Sequence, residues 1–138
     1  MTLKFIQTDG GRAAAGFKGE AGDCAARAVA IAADIPYREA YDALRDVIGS
    51  TPRNGVYVKH LKQYLDQLGW TWTPTMGIGT GCTVHMRADE LPAGNIIVRL
   101  SKHYAAVIDG VLHDTYDTSR DGTRCVYGYW SHQQETSP

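Results

Sequence analysis

Hydrophobic positions recur at helical spacing through the first half of the chain and predict three helices. The apolar, alanine-rich run that begins at Cys24 predicts a helix buried on most sides, with Asp23 as its N-cap and an end before Pro36. A second, amphipathic helix that ends at Gly49 is predicted by the spacing of Tyr37, Ala40, Tyr41, Leu44, Val47 and Ile48. A third helix that ends at Gly69 is predicted by Val58, Leu61, Leu65 and Leu68.

The pattern changes to that of β-strands in the second half of the chain. Strands are predicted over residues 70–75, 95–100, 103–108, 111–115 and 125–130, with one helical turn over 88–91. The pair Asp109 and Gly110 between two β runs is a strong signal for a hairpin with a two-residue loop. Helices followed by an antiparallel sheet predict an α+β fold.

The chain length predicts a single domain over residues 1–138. Residues 8–22 are rich in glycine and small side chains, so we expect an irregular segment over residues 1–22. Residues 131–138 are expected to form a flexible tail.

Composition and charge narrow the classes of function. The net charge is −1 and no block of like charges occurs, which argues against nucleic acid as a partner. The longest apolar stretch, residues 28–33, is much shorter than the roughly 20 residues of a membrane span, and no secretory signal pattern is visible. The three cysteines have no framework spacing, so we expect a cytoplasmic protein with at least one free thiol. The oligomeric state is not predicted.

Cys24 is a candidate nucleophile because the first turn of a helix favours a thiolate over a thiol. A thiolate nucleophile also needs a base, and the base needs a group that orients it. If Asp109 and Gly110 form the hairpin loop, His103 and Asp114 lie on the same face of the sheet as diagonal neighbours, roughly 7 to 8 Å apart between backbones. The hairpin therefore predicts a histidine and a carboxylate within side-chain reach of each other.

These residues resemble the papain-like cysteine peptidase superfamily, including a group of short bacterial and phage proteins. The likeness rests on Gly22, Asp23 and Cys24 at the start of an alanine-rich helix, then His103 on a strand and Asp114 on the return strand. It implies a papain-like fold in which the nucleophile helix comes first and the helices pack on a C-terminal antiparallel sheet.

The resemblance also implies the chemistry. Cys24 would be the nucleophile, His103 the general base and acid, and Asp114 the group that orients the imidazole. The expected activity is that of a thiol hydrolase that forms an acyl-thioester from an amide or ester. A peptidase or isopeptidase is the simplest form, with deamidation or acyl transfer as variants. The substrate is expected to be a peptide or protein, and no cofactor or metal is expected.

The oxyanion hole departs from the papain pattern. Papain-like enzymes carry a glutamine six residues before the cysteine, whereas this chain has Lys18 there. The backbone N–H of Cys24 is one candidate donor, and Asp23 and Lys18 are candidates for an oxyanion or positioning role. Loss of an oxyanion donor typically lowers the rate about 100- to 1000-fold.

Other interpretations compete with this one. Cys24 is also compatible with a small buried core residue. Cys82 and His85 have a spacing that can bind zinc, with His103 or Cys125 completing the set. The tryptophans at positions 70, 72 and 130 are compatible with a platform for bases or sugars. Finally, a binding protein of phage or mobile-element origin could keep a peptidase scaffold without catalysis.

Overall fold

The computed structural model describes residues 2–18, 22–53, 55–77 and 79–132, and it shows helices packed on a mixed sheet. The helices are α1 (Cys24–Ala32), α2 (Tyr37–Ile48) and α3 (Val58–Gln67). The strands are β1 (Lys4–Gln7), β2 (Trp70–Pro74), β3 (Asn95–Leu100), β4 (His103–Ile108), β5 (Val111–Asp114) and β6 (Gly128–His132). The predicted α+β class and the three predicted helices are confirmed.

The sheet has six strands in the order β1-β5-β4-β3-β6-β2. Every neighbouring pair is antiparallel except β1 with β5, which is parallel, so the expectation of an antiparallel sheet was wrong at this edge. The expectation of an irregular segment over residues 1–22 was also wrong for β1. This strand is only four residues long and exposed throughout, so it carries no alternating hydrophobic pattern.

The hairpin between β4 and β5 has the predicted loop. Asp109 and Gly110 have φ angles of 48° and 78°, which is the combination that a type I′ turn requires. The register pairs Ile108 with Val111 and Ala106 with His113, as predicted. The hairpin therefore determines which side chains of β4 and β5 can meet.

Two predictions near the C-terminus are corrected. The last strand covers residues 128–132 rather than 125–130, because Cys125 forms an isolated bridge with His85. Ser131 and His132 belong to β6 rather than to a flexible tail, since both pair with β2. Residues 133–138 lie outside the described residues.

The helical turn that was predicted over residues 88–91 is not formed. Residues 88–90 form a non-helical turn instead.

Both faces of the sheet are covered by buried side chains. Helix α1 packs on β4, where its alanine side chains permit close approach to Tyr104 and Ala106. The opposite face holds a second cluster that includes Val107 and Leu112 together with Met86 from the preceding loop. This arrangement explains why β3 and β4 are almost continuously apolar, since strands covered on both faces lose the alternating pattern.

The N-terminal segment follows β1 and lies against α1. A Cβ atom at Gly10 would lie 3.2 Å from the Cα atom and the carbonyl oxygen of Arg27, and its φ of +71° also favours glycine. Glycine at this position therefore permits the close approach of the segment to the helix that carries Cys24.

Cys82 and Cys125 form a disulfide that joins the glycine-rich loop after β2 to the segment before β6. The sequence had not indicated this pairing. Cys24 is the free cysteine, which confirms the expectation of at least one free thiol.

Among the helices described, none has both the length and the apolar character that a membrane crossing needs.

Candidate active site

Cys24 is the first residue of α1, as the sequence predicted, and its side chain is half-buried. The first turn of a helix leaves backbone N–H groups without intrahelical partners and carries the positive end of the helix dipole. Both effects favour a negative charge on the sulfur atom. The helix therefore places Cys24 where a thiolate is stabilised.

His103 and Asp114 are hydrogen-bonded, as the hairpin register predicted. The Nε2 atom of His103 lies 2.7 Å from the Oδ2 atom of Asp114, and both side chains are largely buried. Because an ionised carboxylate only accepts, Nε2–H is the donor and Nδ1 is left to face another partner. Cys24 lies beside this imidazole, since the two side chains interact and line the same two cavities.

The contacts among Cys24, His103 and Asp114 change the pKa values of the thiol and the imidazole. Burial pushes the pKa of Cys24 upward, but the hydrogen bond with His103, the charge of His103, the backbone N–H of Tyr104 and the charge of Arg27 together lower it. Burial pushes the pKa of His103 downward, but the hydrogen bonds with Asp114 and Cys24 raise it to about 9. A lowered thiol pKa beside a raised imidazole pKa favours the thiolate–imidazolium pair near neutral pH.

Asp114 is held ionised by several donors. Burial pushes its pKa upward, but His103, the backbone N–H of Thr115 and the hydroxyl of Thr118 lower it. The Thr118 hydroxyl donates to Oδ2 at 3.0 Å and the Thr115 N–H donates to Oδ1 at 2.8 Å. The backbone N–H of Thr8 donates to the Asp114 carbonyl at 2.8 Å, so β1 also fixes this residue.

Asp23 occupies the N-cap position of α1, but its side chain does not cap the helix. The carboxylate is 1% exposed and instead binds two arginines and a tyrosine. Arg12 Nη1 lies 3.2 Å from Oδ2, and Arg27 and the Tyr37 hydroxyl also contact the carboxylate. A carboxylate can only accept hydrogen bonds, so the Asp23 side chain cannot donate to an oxyanion, and its contacts join the N-terminal segment to α1 and α2.

Arg27 connects the two buried carboxylates. Its Nη1 atom contacts Asp23, and its Nη2 atom lies 3.9 Å from Oδ1 of Asp114. Arg27 is one helical turn after Cys24, so its charge is close to the thiol. Sequence analysis did not identify Arg12, Arg27, Tyr37 or Thr118, because their roles depend on contacts that no local pattern encodes.

The backbone carbonyl of Lys18 accepts a hydrogen bond from Arg12 Nη2 at 3.2 Å, which holds this part of the N-terminal segment in place. The Lys18 side chain is exposed. Residues 19–21, which lead to Cys24, lie outside the described residues. The backbone N–H of Cys24 remains the donor candidate at the start of α1.

Two cavities meet at Cys24 and His103. The first, here called the Tyr57 cavity, has a volume of about 530 Å³ and is lined by Val56, Tyr57, Val58, Arg99, Lys102 and Tyr104. The second, here called the Tyr116 cavity, has a volume of about 700 Å³ and is lined by Asp9, Arg12, Phe17, Arg27, Thr115 and Tyr116. An extended substrate can therefore pass the nucleophile with one part in each cavity.

The alternative zinc site is not formed. Cys82 is bonded to Cys125, and a disulfide sulfur is not the thiolate that zinc binds. His85 contacts Glu90 instead, with Nδ1 3.1 Å from Oε1. No cluster of three or more potential metal-ligating side chains occurs within the described part of the chain.

The tryptophans do not form an exposed platform. Trp70 and Trp130 are buried in the core beneath the helices. Trp72 is half-buried and packs on Trp130, with ring centroids 4.4 Å apart. The aromatic residues of β2 and β6 therefore act in core packing.

Comparisons of this chain with protein-family models, curated proteins and solved structures find no match.

Proposed function

We propose that this protein is a small papain-like thiol hydrolase that cleaves an amide or ester bond through an acyl-thioester on Cys24. The observation that carries the proposal is the placement of the Cys24 thiol beside His103, whose Nε2 atom lies 2.7 Å from Oδ2 of Asp114. A nucleophile, a base and a group that orients the base are the parts that covalent acyl transfer requires.

In the first half of the reaction, the Cys24 thiolate attacks the carbonyl carbon of the substrate. The C–S bond forms, the π electrons move to the carbonyl oxygen, and the backbone N–H groups at the start of α1 are the proposed donors that stabilise that charge. The intermediate then expels the amine or alcohol, which takes its proton from the His103 imidazolium. The product of this step is the acyl-thioester.

In the second half, neutral His103 removes a proton from water or from an amine that attacks the thioester. The C–S bond breaks, the thiolate leaves, and the imidazolium forms again. Asp114 stabilises the imidazolium in both halves and keeps Nδ1 directed at the sulfur atom. Hydrolysis, deamidation and acyl transfer share these steps and differ in the substrate and in the attacking group.

Trapping the acyl-enzyme tests this proposal without knowledge of the natural substrate. The protein is mixed with p-nitrophenyl acetate, the release of nitrophenolate is followed, and the adduct is located by mass spectrometry. We expect acetylation of Cys24 that is lost in Cys24→Ala and strongly slowed in His103→Ala. Because the other two cysteines form a disulfide, Cys24 is the one free thiol of the three in the chain and the assignment is direct.

The test also addresses the alternative of a binding protein on a peptidase scaffold. That alternative predicts that Cys24 is acetylated no faster than an ordinary thiol and at the same rate in His103→Ala. Such a result would contradict the hydrolase proposal.

A further inference from the structure

The Tyr57 cavity carries positive charge next to the nucleophile. Arg99 and Lys102 line it, and no carboxylate is found among its described lining residues. Within the part of the chain that the structure describes, neither of these side chains forms an ion pair. The lining of this cavity therefore includes two cations that have no acidic partner among the described residues.

The Tyr116 cavity differs in this respect. Its cations Arg12 and Arg27 are both bound to Asp23, and the carboxylate of Asp9 lines the same cavity. Lys102 is the one cation that the two cavities share among their described lining residues. The positive charge on that side of Cys24 is thus largely compensated within the protein. An anionic group is therefore favoured more strongly on the Tyr57 side, where Arg99 adds to the charge of Lys102 and no carboxylate opposes it.

The backbone at Lys102 supports a role for its side chain. Lys102 follows Ser101 in the tight turn between β3 and β4, and its φ is 57°. This left-handed conformation favours glycine, asparagine or aspartate, so a lysine there is unfavourable for the turn itself. Strain of this kind next to a catalytic residue points to a use for the side chain. The turn holds Lys102 directly before His103, where it lines both cavities.

Two aromatic residues, Tyr57 and Tyr104, also line the Tyr57 cavity. The Tyr104 hydroxyl donates to the Val56 carbonyl at 2.9 Å, and burial raises the pKa of Tyr104 to about 12, so the phenol stays neutral. The Arg99 guanidinium lies 5.5 Å from the centre of the Tyr127 ring, so Arg99 stands between the Tyr57 cavity and the neighbouring one that Tyr127 lines. Tyr57 is 76% exposed at the rim of the cavity.

We propose that the Tyr57 cavity binds a carboxylate of the substrate, with Lys102 and Arg99 as specificity-determining residues. The substrate class is then an amide or ester that carries an acidic side chain or a free carboxylate next to the bond that is cleaved. This inference rests on the proposed hydrolase function, since it names the substrate of the same site.

Two alkylating reagents of similar size test the charge of the cavity. Iodoacetate carries a carboxylate and iodoacetamide is neutral, and both alkylate Cys24 by displacement of iodide. The ratio of their rate constants at one pH and one low ionic strength cancels differences in the amount of thiolate. We expect Lys102→Asn and Arg99→Gln each to lower the iodoacetate to iodoacetamide ratio by about threefold to tenfold.

The control variants separate the effect of the charge inside the cavity from the effect of the protein's total charge and from the effect of changing the turn. Asparagine suits a left-handed turn, so Lys102→Asn removes the charge without new strain. Arg120 has a φ of 52° in a different exposed loop, so Arg120→Asn removes one charge at a matched position outside both cavities. We expect Arg120→Asn to leave the ratio unchanged and Lys102→Arg to keep it near the wild-type value.

The possible results distinguish the two proposals. A ratio that is the same in Lys102→Asn, Arg99→Gln and Arg120→Asn would overturn the carboxylate proposal. Failure of the hydrolase proposal would give a different result. The absolute rate of alkylation by iodoacetamide would then be slow and the same in the wild type and in His103→Ala. The ratio can still be measured in that case, because an ordinary thiol also reacts with both reagents.

Discussion

Asp23 and Asp114 are both buried carboxylates in contact with Arg27, but their other partners differ. Asp23 is bound by groups that keep their protons near neutral pH: guanidinium groups and the Tyr37 phenol, whose pKa is raised chiefly by burial. Asp114 is bound to His103, whose pKa of about 9 belongs to a group that can exchange its proton with Cys24.

The difference shows how partners determine the role of a buried carboxylate. Around Asp23 the charges are permanent, so the cluster fixes the start of α1 and the N-terminal segment in place. Around Asp114 the charge faces an imidazole that lies beside a thiol, so a proton can pass between Cys24 and His103 while Asp114 stays ionised. The first arrangement is structural and the second can support catalysis.

The largest expected effect is on stability, from Asp23→Ala. The substitution leaves Arg12 and Arg27 buried without their common partner, and breaking a buried ion pair typically costs about 3 to 5 kcal/mol of unfolding free energy. Urea denaturation measures the loss. The exposed Asp46 is a matched control on α2, and Asp46→Ala is expected to change stability by less than about 0.5 kcal/mol. Equal effects of the two substitutions would contradict the structural role of Asp23.

The next effect is on reactivity, from Asp114→Asn. The amide keeps an acceptor for His103 but removes the charge that raises the pKa of the imidazole, so less thiolate forms at Cys24. We expect alkylation of Cys24 by iodoacetamide at pH 6.5 to slow about 10- to 100-fold. Asp117→Asn, which changes an exposed carboxylate in the following loop, is expected to leave the rate unchanged. A normal rate in Asp114→Asn would place the carboxylate outside the reactive pair.

A smaller effect concerns the pH dependence of stability in Cys24→Ala, where His103 keeps Asp114 as its partner. The folded-state pKa of His103 is raised above its unfolded value of 6.5, so the protonated imidazole stabilises the folded state. This stabilisation is fully present below pH 6.5 and is lost as the pH rises through the folded-state pKa. We expect the unfolding free energy of Cys24→Ala to fall by about 1 to 2 kcal/mol between pH 6.5 and 9.

The wild-type protein is expected to have a flatter profile over the same range. The pKa of Cys24 is lowered on folding, so the Cys24 thiolate stabilises the folded state. This stabilisation is present at high pH and is lost as the pH falls through the folded-state pKa of the thiol. The two trends oppose each other while the thiolate–imidazolium pair is intact. Parallel profiles for the wild type and Cys24→Ala, measured by urea denaturation at several pH values, would show that the two groups are not coupled.

The smallest expected effect is that of Thr118→Val, which removes the hydroxyl that donates to Asp114. The loss of one buried hydrogen bond to a charged group costs about 1.5 to 3 kcal/mol at most, and the donors that remain reduce this to about 1 kcal/mol. Thermal or urea denaturation measures it. An increase in stability would show that the hydroxyl is not needed to satisfy Asp114.

The placement of Cys24 at a helix start and of His103 beside Asp114 could be predicted because it depends on local signals. The apolar run after Asp23 marks the start of α1 and so the position of Cys24. The type I′ turn at residues 109–110 fixes the register that brings His103 to Asp114. These signals span a few residues each and do not require knowledge of the remaining fold.

The supporting contacts could not be predicted because they join distant parts of the chain. Arg12 reaches Asp23 and Tyr37 only because the N-terminal segment lies against α1 and α2. Strand β1 pairs with β5 in parallel through four exposed residues that carry no periodic pattern. The sequence alone also did not indicate the disulfide between Cys82 and Cys125, since its two cysteines belong to separate loops.

The pH dependence of Cys24 alkylation by iodoacetamide, in the wild type and in His103→Ala, tests the central claim most directly. A thiolate that is stabilised by His103 predicts a fast rate that persists well below pH 8 in the wild type and is lost in His103→Ala. A slow rate that is the same in both proteins and titrates near pH 8.5 or above, as for an ordinary or buried thiol, would contradict it.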